Sequence, residues 1–210
     1  MKISALAEKK VVHVVDDDES LRTAMSRLLS TAGYEVRTYS SAGEFALLRH
    51  PDTAGCILLD VRMPGPSGLD LQESLSRSTA PLPIVFLTGH GDIPMSVRAM
   101  KCGAVDFLTK PVQRTHLLAA VESALAKGAQ LREERVNLQQ WQDRYESLTA
   151  REREVFERVT AGQPNKQIAG EIDAAERTVK AHRARVMEKM GAASLAELVQ
   201  MATQLRQPAR

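Results

Sequence analysis

"VVHVVDDDES", residues 11–20, sets four valines around one histidine and then passes straight into three adjacent carboxylates. A short, unbroken β-branched run is the pattern of a strand covered on both faces, as in parallel sheets, rather than the alternation of a half-exposed strand. Such a strand has no room for acids within it, so the carboxylates belong at its end.

Beyond it, further strand-like runs follow at 34–39 (YEVRTY), 56–60 (CILLD), 83–87 (PIVFL) and 104–108 (AVDFL). Between the first two, Leu21, Met25, Leu28 and Leu29 recur at helical spacing, and Gly33 stands where a helix stops. Segments 41–50, 68–77, 93–102 and 113–126 are the other helix candidates, and Asp92 before Ile93-Pro94 reads as a cap with proline in the first turn. Strands alternating with helices of this length are repeated βα units. They predict an α/β domain with a doubly wound, flavodoxin-like, five-stranded parallel sheet.

Ligands of such sheets bind outside the carboxyl ends of the strands, near a switch in strand order. The polar residues at those ends are Asp16 and Asp17, Asp60, Thr88 and Lys110, so the fold predicts that they converge. An aspartate attacks a phosphoryl group when nearby cations offset the charge on the phosphoryl oxygens. Mg2+ suits that setting because it takes a few carboxylate oxygens and keeps positions for phosphate. Asp16 and Asp17 are the metal candidates, Asp60 offers one oxygen to the metal and one for attack, and Thr88 and Lys110 are placed to bind phosphoryl oxygens. Against this, strand-end Asp and Thr often do no more than cap the next helix.

The rest of the chain is different in kind. Residues 127–147 lack proline and are rich in charge and glutamine, with Leu131, Leu138 and Tyr145 seven apart and Trp141 and Leu148 a second such step. A helical linker fits, its seam either pairing with another copy or lying on its own domain. The last residues read as an all-α unit of four helices, 150–161, 165–172, 176–190 and 194–204, separated by Gly162-Gln163-Pro164, by 173–175, and by Gly191 with Ser194 as a new cap. The predicted organisation is 10–126, a linker at 127–147, and 148–210.

Composition agrees with two small soluble domains: 210 residues, 43% hydrophobic and 26% charged. The net charge of +2 is uneven: residues 1–125 carry 13 Lys/Arg against 14 Asp/Glu, and residues 147–210 carry 11 against 8. The C-terminal excess suits a polyanion. Cys56 and Cys102 lack disulfide-framework or metal spacing. Without a signal-type apolar stretch or a run of about 18 apolar residues, the expectation is a cytoplasmic protein with no membrane partner.

The set VVDDDES, LLDVRMPGPSG and FLTGHGDIPMSVRAMKCGAVDFLTKP resembles the receiver domain of two-component response regulators over residues 10–126, and TGHGDIPM resembles the FixJ subfamily. The resemblance implies that Asp60 accepts phosphate from a sensor histidine kinase. It implies Mg2+ held by Asp17, Asp60 and the backbone carbonyl of Arg62, with Asp16 assisting, and leaves Asp18 as a loop or cap residue. It also implies a switch in which Thr88 turns inward and Phe107 repacks, and a cis bond between Lys110 and Pro111. The further expectation is that the unphosphorylated receiver restrains the effector and that phosphorylation frees a surface around the 93–102 helix and its neighbouring strand for dimerisation. Phe107 by itself reads as core.

The stretch LTAREREVFERVTAGQPNKQIAGEIDAAERTVKAHRARVMEKMGAASLAEL resembles the LuxR-type helix-turn-helix effector over residues 148–198, which implies promoter DNA as a partner, with RNA polymerase as another. Helical spacing over 176–190 puts Val179, Val186 and Met190 on one apolar stripe with His182 at its margin, and Arg177, Lys180, Ala181, Ala184 and Glu188 opposite. Recognition helices read base edges from such an outward face, which favours Lys180, Ala181 and Ala184, alanine suiting a thymine methyl. Lys166, Thr178, Arg183, Arg185 and Lys189 suit phosphates, although any single arginine is as readily a solvated surface charge. Ala175 stands where members of the family carry a capping Ser or Thr, a loss of about 1 kcal/mol; a capping box from Asp173 to Glu176 is the alternative.

The expected function is a phosphorylation-controlled transcription factor, an activator by resemblance alone, rather than an enzyme. The rivals are an aspartyl-phosphate phosphatase, whose nucleophile would open a DxD pattern, and a receiver acting by protein contact only.

Overall fold

Strand β1 (Val11–Val15) is buried along its whole length, as its composition demands. The computed structural model describes residues 10–47, 55–78, 80–89 and 93–206; the predicted cap at Asp92, the end of the 41–50 helix and residues 207–210 lie outside them. The chain divides into two compact units between Arg132 and Glu133.

In the first unit, β1, β2 (Glu35–Tyr39), β3 (Gly55–Leu59), β4 (Ile84–Thr88) and β5 (Asp106–Thr109) form one five-stranded sheet in the order β2-β1-β3-β4-β5. All the pairings are parallel. Successive side chains point to opposite faces, so each strand feeds two cores. Val12, Val14, Cys56, Leu58, Val85 and Leu87 pack with Met25 and Leu29 of α1 (Glu19–Thr31) and with Leu117 and Val121 of α5 (Arg114–Glu146). Val15, Ile57, Leu59 and Phe86 pack with Phe45 of α2 (Ala42–Leu47), Leu71 of α3 (Gly68–Ser76) and Ala99 of α4 (Ile93–Lys101). The order reverses between β1 and β3, which opens a crevice at their carboxyl ends.

The helix expected at 113–126 and the linker expected at 127–147 are one uninterrupted helix, α5, of 33 residues. Glycine weakens a helix interior, but Gly128 has a packing reason: a Cβ there would lie 3.0 Å from the Gly55 carbonyl oxygen and 3.3 Å from Pro83. At the other end of α5, Trp141 and Tyr145, with Leu148 beyond it, pack into the core of the second unit. That end of the heptad seam is thus occupied within its own unit.

The second unit holds α6 (Ala150–Thr160), α7 (Asn165–Glu171), α8 (Glu176–Met190) and α9 (Leu195–Arg206). Thr149 and Glu152 form a reciprocal capping box on α6. The Glu152 carboxylate is almost fully buried and also accepts from Lys189 at 2.6 Å. The Lys189 hydrogen bond, with the Thr149 amide and hydroxyl, holds the Glu152 carboxyl down at about 2, against an ordinary 4.5. Because the folded value is depressed, its contribution is present above pH 4.5 and disappears as pH falls towards 2. Glu152→Ala is expected to cost about 1–2 kcal/mol at neutral pH through the lost cap, and to flatten the acid limb of this unit's denaturation curve between those values.

Ala175 is the N-cap of α8 and contributes no side-chain bond. The alternative box from Asp173 does not form. Asp173 adopts a left-handed backbone, φ 48°, as the turn between α7 and α8 requires and as Asp tolerates, so it cannot start the helix.

Candidate functional site

The β1/β3 crevice gathers the acids. Asp16 and Asp60 follow directly on β1 and β3, where the Asp60 amide donates to the Val15 carbonyl at 2.9 Å and the Asp16 amide to the Tyr39 carbonyl at 3.1 Å. Lys110 follows β5, and its amide donates to the carbonyl of Thr88, the last residue of β4, at 2.8 Å. The Lys110 ammonium then donates to Asp16 Oδ2 at 2.6 Å and to Asp60 Oδ2 at 3.1 Å. Strand ends 94 and 50 residues from Lys110 therefore meet on one cation.

Oxygens of Asp16, Asp17 and Asp60 lie within 4.8 Å of one another. Asp16 is buried, Asp17 is exposed, and the Asp60 side chain keeps 10% of its surface open to solvent. Burial pushes the Asp16 carboxyl above the ordinary range, against the lowering effect of Lys110 and the Asp18 amide. Burial also opposes the charge on Lys110, but its bonds to Asp16 and Asp60 and their negative charge together outweigh that and raise its pKa. Three carboxylates against one ammonium leave excess negative charge, and an all-oxygen donor set of this size fits Mg2+.

Two residues, Arg22 and Gly68, hold this site without having stood out in the sequence as doing so, and Asp18 holds it in the role expected of it. Arg22 Nη1 donates to the Asp16 carbonyl at 2.7 Å and fixes the loop after β1. Asp18 is the N-cap of α1, accepting from the Ser20 and Leu21 amides, as expected for a residue outside the acid pair. Gly68 opens α3 against the backbone of Asp60, where a Cβ would stand only 2.2 Å from the Asp60 carbonyl oxygen. Gly68→Ala is therefore expected to displace α3 or Asp60, with a loss of about 1–3 kcal/mol in denaturant unfolding.

Of the remaining expected residues, Thr88 is buried, the Arg62 amide points at Asp60 Oδ1 from 3.4 Å, and Lys110-Pro111 is cis. Phe107 is partly buried in the core on the α3/α4 face, its ring 6.0 Å from that of Phe86.

The second candidate surface is on α8. Val179, Val186 and Met190 are its buried residues, and Arg177, Lys180, Ala181, Ala184, Arg185 and Glu188 are exposed. Lys166 at the start of α7 is exposed, Thr178 is half-buried, and the guanidinium of Arg183 reaches Asn165 Oδ1 at 3.3 Å. Lys189 is placed differently: its ammonium is taken up by Glu152 within the fold.

Residues 12–122 match the family described as "Response regulator receiver domain" and residues 146–202 the family described as "Bacterial regulatory proteins, luxR family". The chain belongs to the response regulators, in the class that joins a receiver to a LuxR-type DNA-binding domain. Within that class it is a FixJ-like transcriptional regulator. It is 46% identical to Nodulation protein W of Bradyrhizobium diazoefficiens, over 94% of this chain and 87% of that protein. It is 41% identical to Transcriptional regulatory protein FixJ of the same organism, over 94% and 96%. Among solved structures it is similar to response regulator StyR, with TM-score 0.78 and 47% identity over 93% of this chain and 99% of that one.

Proposed function

We propose that Asp60 is the phosphoacceptor of this regulator and that phosphorylation there raises its affinity for promoter DNA. The observation that carries the reading is the Lys110 ammonium shared between Asp16 and Asp60. An Asp60 carboxylate oxygen attacks the phosphorus of a kinase phosphohistidine, the P–N bond breaks to release the imidazole, and an acyl phosphate forms. Lys110 and Thr88 bind the incoming phosphoryl oxygens. Asp16, Asp17, Asp60 and the Arg62 carbonyl would hold Mg2+, which would offset phosphoryl charge when bound. Thr88 and Phe107, joined through the paired ends of β4 and β5, carry the change outward.

The receiver then dimerises through α4 and β5; Ile93, Val97 and Met100 lie exposed on α4, an apolar face suited to a second copy. Two α8 helices thereby reach adjacent half-sites, with Lys180, Ala181 and Ala184 at base edges, Arg177 beside them on the same outward face, and Lys166, Thr178, Arg183, Arg185 and Lys189 at phosphates. The division of labour is 10–126 for phosphoryl transfer, 127–147 for linkage and 148–210 for DNA. The setting is the cytoplasm, with RNA polymerase as the downstream partner; among the described residues no helix is long and apolar enough to cross a membrane.

The test is a titration of promoter DNA with the full chain, before and after treatment with a small phosphodonor. A gain in affinity, with log K falling linearly against log salt, is the expected result. Steady turnover of a phosphoester with no change in DNA binding would favour a phosphatase instead.

A further inference from the structure

The last turn of α5 grips the C-terminal end of the recognition helix. Arg144 Nη1 donates to the Met190 carbonyl at 2.8 Å. That carbonyl is one of the last four of α8, which have no amide partner within the helix and lie at the negative end of its dipole. Beside it Gly191 has φ 69°, and a Cβ there would lie 2.6 Å from Arg144 Nη1. The backbone favours glycine there, and a Cβ would push the guanidinium of Arg144 aside. A second contact joins the same two ends, from the Lys189 ammonium to the Ser147 carbonyl at 3.4 Å.

We infer that Arg144 is a positioning residue for DNA recognition, fastening the recognition helix to the linker helix so that the linker sets the direction of α8. The inference rests on the phosphorylation-dependent reading above. A single head on a single half-site has no need of the fastening. Two heads on adjacent half-sites do, because a loosened α8 samples more directions and lowers the effective concentration of the second head at its site.

The experiment measures operator affinity of the full chain, with and without the phosphodonor, for wild type, Arg144→Ala, Arg144→Lys, Gly191→Ala and the double variant Arg144→Ala/Gly191→Ala. Arg144→Ala is expected to leave unphosphorylated affinity unchanged and to reduce the gain on phosphorylation by about fivefold or more. Arg144→Lys, which keeps a donor, should restore most of the gain, and the double variant should lose no more than Gly191→Ala alone, since both substitutions break one contact. Equal losses in both states would reduce Arg144 to a structural contact, and a salt slope lowered by about 0.9 would make it a direct phosphate ligand; either result overturns the inference. A wild-type gain that Arg144→Ala retains would overturn this inference alone, whereas a wild type with no gain would overturn the functional reading with it.

Discussion

Asp60→Asn is expected to abolish the rise in operator affinity that a phosphodonor gives the wild-type chain. The amide matches the carboxylate in shape and still offers Lys110 an acceptor where Asp60 Oδ2 now stands at 3.1 Å, so the fold survives. What it lacks is an anionic oxygen able to attack phosphorus. If phosphorylation acts by pairing two DNA-binding heads, the gain at stake is on the order of 10²-fold, and the variant should remain at the unphosphorylated level at every phosphodonor concentration. Anisotropy titrations on operator DNA, with intact-mass measurement of phosphate uptake, check both halves. Equal responses from variant and wild type would remove Asp60 from the mechanism.

The second large effect is on α8. Lys180→Ala removes an exposed donor from the outward face and is expected to cost about 1–3 kcal/mol at the operator while relaxing the preference at one base pair. Lys166→Ala, from the start of α7, should instead weaken binding to all sequences alike and lower the salt slope by about one. Competition binding against operators with single substitutions separates the two. If Lys180→Ala weakened all sequences equally, Lys180 would be a phosphate contact rather than a base reader.

Much of this architecture is legible in the residues themselves. The stripe of Val179, Val186 and Met190 is buried as helical spacing predicts, because burial on a helix follows from period alone. The strand ends converge as the βα pattern requires, since a parallel sheet leaves few topologies open. Element limits differ from the expected ones by a residue or two at most ends. The largest departure is at α5, where a change of composition suggests a boundary and the helix runs on without a break, Gly128 packed against Gly55 and Pro83.

From sequence alone come the class of each element, the set of residues delivered to the crevice, and the outward face of α8, because these depend on local period and on the order of elements along the chain. Tertiary structure alone decides that Lys110 bridges two carboxylates, that Gly68 is pressed against Asp60, that Lys189 pairs with Glu152, and that Arg144 reaches the end of α8. The reason is physical: an ion pair or a steric contact depends on distances of a few ångströms between residues far apart in the chain, and neither hydrophobic period nor residue type encodes such distances.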